Sequence, residues 1–308
     1  MHRTLKTFLF RSFLLCCTSL TAHGQHSFSF NNGPLMARFQ DSLLMISRQT
    51  FDAPSNTERF ASNAAFIRTL VNALKTPYSY QYGFDSLKNI SILKSPDQKF
   101  RVFTWYVPLD DGTYRFFGSI QMATTDGKLK LFPLIDQTEQ LKDAHAVTGN
   151  KEWFGARYYE VLPLVQAGKP ASYILIGWKG NNSKTSKKVI DILSFEKDGP
   201  LFGKAVFDGP KGTKPGNRII FEYNRGNSMT LTTDKTVNMI VFDHLAPMAP
   251  EMEGNFEYYA SDLSFDAYKI VNGRLRLIEN VELKNEPNVM DEFYADPKDK
   301  SVKPVKKL

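Results

Sequence analysis

Cysteine is almost missing from this chain: there are two, Cys16 and Cys17, adjacent in an apolar stretch near the start. Without that stretch the remainder has no thiol, which excludes disulfides and thiolate metal ligands and leaves a buried core as the source of stability. About 280 residues suffice for such a core. Histidine is also scarce, with five in all. Only His26, His145 and His244 follow the opening stretch, and neither His-Glu-x-x-His nor a pair of histidines four apart occurs, so the zinc-hydrolase pattern is excluded. No apolar run approaches the roughly 20 residues of a membrane-spanning helix.

Other familiar signatures are missing too. Gly226-Asn227-Ser228-Met229-Thr230 fails the nucleophile elbow at its last position. The glycine-rich stretch from Gly209 to Gly216 lacks the Gly-Lys-Ser/Thr ending of a phosphate loop, and Pro210 and Pro215 remove amide donors, so it reads as a surface connection. The Asp-x-Asp-x-Asp-Gly calcium spacing does not occur. The expectation is therefore no metal and no cofactor.

What is present begins with an export signal. Arg3, Lys6 and Arg11 precede the apolar segment Ser12 to Leu20, and Thr21-Ala22-His23-Gly24 places small residues where a signal peptidase reads. Cleavage after Gly24 is expected, giving a periplasmic or secreted protein starting at Gln25. Lipid attachment at Cys16 or Cys17 is the less favoured reading, because Leu15 and Cys16 precede where a small residue is preferred. The formal charge of +7 sits at the two ends: residues 25–297 are formally neutral, and Lys298, Lys300, Lys303, Lys306 and Lys307 outweigh Asp299 in the tail. No basic face for nucleic acid is implied.

Four regions are expected: a signal over 1–24, a helical segment over 25–84, an antiparallel β domain over 85–285 and a polar lysine-rich tail over 286–308. Leu35, Phe39, Leu43 and Ile46 recur at helical spacing, as do Phe60, Ala64, Ile67, Val71 and Leu74. Ser55 and Glu58 form a capping box before the second helix and Pro77 closes it. From Ile90 the period alternates, with runs such as Phe100 to Val107 aromatic on both faces and hence covered on both. Asp111-Gly112, Asp126-Gly127 and Asn272-Gly273 supply hairpin turns. The fold class is mainly β: an antiparallel meander of about 12 strands in three groups, propeller-like blades or an open sandwich, with the helices covering an edge.

The stretches Ser95-Pro96-Asp97 with Phe100-Arg101 and Phe103-Thr104-Trp105, Gly118-Ser119-Ile120-Gln121-Met122, Leu131-Phe132-Pro133-Leu134-Ile135-Asp136 and Gly177-Trp178-Lys179-Gly180-Asn181-Asn182 together cover much of the β region. They resemble an uncharacterised family of exported Gram-negative bacterial proteins. The resemblance implies a periplasmic or secreted setting and brings no activity, cofactor or catalytic residue.

Two sets of residues qualify as sites. Trp105, Trp153 and Trp178 with Tyr158, Tyr159, Tyr258 and Tyr259 offer wide apolar faces with polar edges, suited to stacking on sugars or gripping a peptide, or else to packing across the sheet. Trp178 followed by Lys179-Gly180-Asn181-Asn182 is the most site-like, with its ring expected at the sheet rim beside open space. Asp243 and His244 end a strand near Glu251 and Glu253, but neighbours on a strand face opposite ways and do not pair with each other. The expected function is a non-catalytic exported binding or assembly protein recognising an envelope glycan or peptide. The alternative is an envelope hydrolase whose two carboxylates come from distant chain positions.

Overall fold

The computed structural model describes residues 32–209 and 214–282. The signal, the Gln25 terminus and the tail over 286–308 lie outside them. The first helix, α1 (Gly33–Asp52), carries Pro34 in its first turn, and the second, α2 (Asn56–Leu74), opens on the expected Ser55 cap, with Glu58 bonded to the Ser55 hydroxyl rather than to its backbone amide as in a full capping box. There the Glu58 amide donates to Ser55 Oγ at 3.3 Å and the Ser55 hydroxyl donates to the Glu58 carboxylate at 2.9 Å.

As expected the fold is mainly β and largely antiparallel: among the described residues fifteen strands follow, more than the 12 or so expected, in three open sheets that close neither a barrel nor a propeller. The first sheet is a simple meander of β1 (Ser91–Lys94), β2 (Phe100–Pro108), β3 (Tyr114–Met122) and β4 (Leu131–Ile135). The second joins β5 (Thr148–Gly149), β6 (Arg157–Leu164), β7 (Ser172–Trp178), β8 (Thr185–Glu196) and β9 (Gly199–Phe202) in the order β5-β9-β8-β7-β6. The third contains β10 (Phe207–Asp208), β12 (Leu231–Asp234), β13 (Met239–Pro247), β14 (Tyr259–Val271) and β15 (Arg274–Ile278), with β11 (Ile219–Asn224) returning to the second sheet beside β8. Pairing is antiparallel except that β10 lies parallel to β15. Two-residue strands such as β5 and β10 are too short to show an alternating pattern, so sequence periodicity passes over them.

β8 is shared. One of its edges pairs with β7 along Lys188–Ser194, while the other pairs with β11 along Thr185–Ile190 and with β9 along Leu193–Glu196. The expected tight turns form where glycine permits a left-handed backbone, at Gly112 (φ +82°), Gly127 (φ +71°) and Gly273 (φ +75°).

Layering follows from the two-residue period. Along β7 and β8, Tyr173, Leu175, Val189 and Leu193 join Phe100, Val102 and Phe116 of the first sheet in one core. Ile174, Ile176, Ile190 and Ile192 join Ile240, Phe242 and Leu275 of the third sheet in another. The second sheet is thus the middle layer, apolar on both faces as a doubly covered sheet must be. The other face of β2, with Phe103 and Trp105, meets the helices, where Phe66 packs edge-on to Trp105 at 5.2 Å.

The buried face of α2 differs from the expected stripe. Arg59, Asn63, Phe66, Leu70, Ala73 and Leu74 face inward, one residue round from Phe60, Ile67 and Val71, which are exposed or half-buried. Two polar side chains fix this rotation. Asn63 accepts from the Trp105 indole at 2.7 Å, and Arg59 donates to the carbonyls of Ala53 (2.8 Å) and Pro108 and pairs with Asp110.

Candidate functional site

The loop from Trp178 to Thr185 joins β7 to β8 where β11 also begins to pair. Trp178 is only half-buried, but its ring does not stand over open space as expected. It packs on Tyr106 (5.0 Å), Tyr114 (4.9 Å) and Phe116 (6.0 Å), and its indole donates to Ser186 Oγ at 3.0 Å. Gly180 closes over the cluster. With φ +60°, a Cβ there would stand 2.6 Å from the Tyr114 ring and 2.9 Å from that of Trp178. Small size in this loop thus serves close packing of the loop on the aromatic rings.

Beyond the aromatic rings the surface turns polar and concave. An open cleft of about 570 Å³ is lined by Ser183, Lys184, Asn224, Arg225, Glu257 and Tyr258. A second depression of about 450 Å³ shares Lys184 and Glu257 and adds Asn182, Glu222, Asn255 and Phe256. The Lys184–Glu257 ion pair, at 2.8 Å, belongs to both walls and makes them one feature. Lys184 holds the Glu257 carboxyl below its usual range. Arg225 braces the cleft by donating to the carbonyls of Asn182 (2.7 Å) and Gly112 (2.9 Å) and to the Tyr114 hydroxyl (2.8 Å). Glu222 accepts from Asn181 at 3.0 Å and Thr185 at 2.7 Å and pairs with Lys187 at 3.1 Å.

Asn181 is therefore a positioning group for Glu222, whereas Asn182 lines the depression and caps the loop through bonds from the Lys184 (2.8 Å) and Thr185 (2.9 Å) amides. Trp105 lies elsewhere, against the helices, stacked on Phe117 at 6.0 Å. Asp243 and His244 do point apart. Asp243 accepts from the Thr230 amide at 2.8 Å, while His244 Nδ1 sits 2.8 Å from Asp266 on β14. That hydrogen bond raises the imidazole pKa above its ordinary value, the partial burial of the ring opposing it.

Besides Arg59, three cations buried among the described residues escape sequence reasoning, which assigns Lys and Arg to the surface. Lys179, 5 % exposed, donates to Thr138 Oγ1 at 2.7 Å and lies 4.5 Å and 4.6 Å from the Phe116 and Phe154 rings. Burial pushes its amine down to about 8, with Asp136 at 4.0 Å opposing the shift. Arg101 is fully buried; it donates to Gln121 at 2.8 Å and to the Ser79 carbonyl at 2.9 Å, and burial lowers its pKa to about 10. Arg218 pairs with Asp191 deep between sheets. Tyr158 links that pair to Trp153: the indole donates to the phenol at 3.0 Å, and the phenol donates to Asp191 at 3.3 Å. All three cations serve the core.

Among the described residues no cluster of three or more His, Cys, Asp or Glu is arranged to hold a metal, and no helix is long and apolar enough to cross a membrane. Comparison with protein-family models, with curated proteins and with solved structures finds no match to this chain.

Proposed function

We propose that this is an exported, non-catalytic binding protein of the cell envelope, and that the cleft around Lys184 and Glu257 receives a glycan. The observation that carries the reading is the composition of that cleft. Carboxylate, ammonium, guanidinium and amide groups stand beside Phe256, which is exposed, and Tyr258. Sugars present the matching chemistry, a dense set of hydroxyl donors and acceptors around an apolar ring face. The apparent export signal supports an envelope ligand.

A hydrolase is the second reading, because Glu222 and Glu257 come from distant parts of the chain and share one depression. Glycoside hydrolysis needs one acid held protonated near neutral pH. Glu257 is shifted the opposite way by Lys184, and Glu222 is engaged by Lys187, Asn181 and Thr185. These carboxylates are dressed to accept hydrogen bonds.

The test is titration of soluble peptidoglycan fragments and envelope polysaccharide against the wild type and Glu257→Ala, Phe256→Ala and Asn182→Ala. Saturable binding weakened by each change is expected, with no new reducing ends released and with the melting temperature little moved in Glu257→Ala and Phe256→Ala, while Asn182→Ala also lowers it modestly because the Lys184 and Thr185 amides lose their acceptor. Absence of binding would overturn the site, and release of reducing ends would establish the hydrolase.

A further inference from the structure

One end of the middle sheet carries two serines where the rest of that face carries isoleucine. Ser172 of β7 stands opposite Ser194 of β8, which stands opposite Leu201 of β9, so the three project from the same face. Two residues nearer the middle of the sheet this face presents Ile174 and Ile192, which fill the core against the third sheet. Serine leaves that core unfilled at its end, and a pocket of about 400 Å³ opens there. Val147, Pro170, Leu201 and Ala205 give it apolar walls.

The charged groups of the lining leave a positive surplus. Gly203, with φ +95°, turns the chain at the end of β9, and Lys204 reaches back across β8 to donate to Ser172 Oγ at 2.8 Å. Ser172 is 2 % exposed, so it is a fixed, buried acceptor for the ammonium, and its own proton remains to be donated. Lys204 makes no other side-chain hydrogen bond among the described residues. Lys169 and Glu196 also line the pocket, both exposed, and none of the three enters an ion pair among the described residues. Two positive charges therefore face one negative. Glu196 lies two residues beyond Ser194, about 7 Å further along the strand, toward the outer rim.

We propose that this pocket binds a small monocarboxylate with a branched apolar tail, its carboxylate between Lys204 Nζ and the Ser172 hydroxyl and its tail against Val147, Pro170 and Leu201. A surplus of one positive charge matches a monoanion, and a lysine already held on a buried hydroxyl loses little freedom when it binds one. Apolar walls around a few convergent polar groups are the usual make-up of a small-molecule site. The pocket lies at the opposite end of β8 from the glycan cleft and stands or falls without it.

The experiment is calorimetric titration of the purified protein, at low salt, with isocaproate, with isocaproamide, which has the same shape and no charge, and with acetate, which has the charge and no tail. Isocaproate binds one to one, and the amide and acetate each bind about tenfold more weakly or worse. Lys204→Met brings isocaproate down to the level of the amide and leaves the amide unchanged. Glu196→Gln, which removes the one negative charge of the lining, tightens isocaproate several-fold. Ala205→Phe, a change at an exposed position on the wall, fills the pocket and removes binding. The wild-type comparison of acid with amide decides the role of charge even where a variant fails to fold. No binding of isocaproate, equal affinity for its amide, or wild-type affinity in a folded Lys204→Met or Ala205→Phe would each overturn the proposal.

Discussion

Arg218 Nε and Asp191 Oδ2 lie 2.9 Å apart, and both side chains are wholly shielded from water. The guanidinium also donates to the Ala144 carbonyl and lies over the Phe154 ring at 5.0 Å, so the pair locks the segment before β5 against the second sheet. Removing one partner strands the other charge. Asp191→Ala is expected to lose about 3–5 kcal/mol of stability, and Asp191→Leu with Arg218→Met together less than either single change, as measured by denaturant unfolding.

Trp178 is expected to act as packing. Trp178→Ala should cost about 2–4 kcal/mol, because a half-buried ring loses three aromatic neighbours. Gly180→Ala should cost about 1–2 kcal/mol through its left-handed backbone and its clash with Tyr114. A Trp178→Ala loss under 1 kcal/mol in chemical denaturation would return the ring to the surface.

Asp97 carries a pH signature. Burial raises its pKa, but hydrogen bonds from Tyr173 at 2.7 Å and from Lys99 and Ser95 outweigh it, and the net value falls from 3.8 to about 2. A depressed carboxyl contributes stability above its unfolded value and loses it as pH falls through the folded one. The difference in stability between wild type and Asp97→Asn should therefore shrink between about pH 4 and 2; with the side chain about one-third exposed, screening limits it to about 1 kcal/mol. Thermal melts at half-unit pH intervals give the profile.

Lys179 titrates in the other direction. Its amine is lowered from 10.5 to about 8 by burial, so the unfolded chain holds more protons between those values. Stability attributable to this residue should rise as pH increases from about 8 toward 10.5, and Lys179→Met should remove that rise. Paired urea titrations of the two proteins over that range measure it.

That β2, β7 and β8 are covered on both faces was legible from their apolar residues on each side, whereas the helices, expected at a sheet edge, lie on the face of β2. The helix cap and the three glycine turns were legible for a similar reason, being local chemistry at fixed spacing. The orientation of α2 was not. Its apolar stripe pointed to Phe60, Ile67 and Val71, and a hydropathy pattern takes no account of Asn63 being drawn inward by one indole N–H. The polar cleft was half-visible: Asn182 belongs to a conspicuous loop, but Glu222 and Glu257 reach it from β11 and from the turn before β14, and only tertiary structure brings them together.

The parallel pairing of β10 with β15 joins Phe207 to Leu275 across about 70 intervening residues, and Asp208 grips Arg274 beside it. Until residues 274–278 have been synthesised, β10 has no partner in the third sheet, and the Ile174 and Ile190 face of the middle sheet lacks Leu275 from its cover. Such distant closure slows folding, since the entropy of the loop is lost before its contacts form. The third sheet therefore closes only once residues 274–278 have emerged, and a nascent chain carries β10 unpaired while the intervening residues are made.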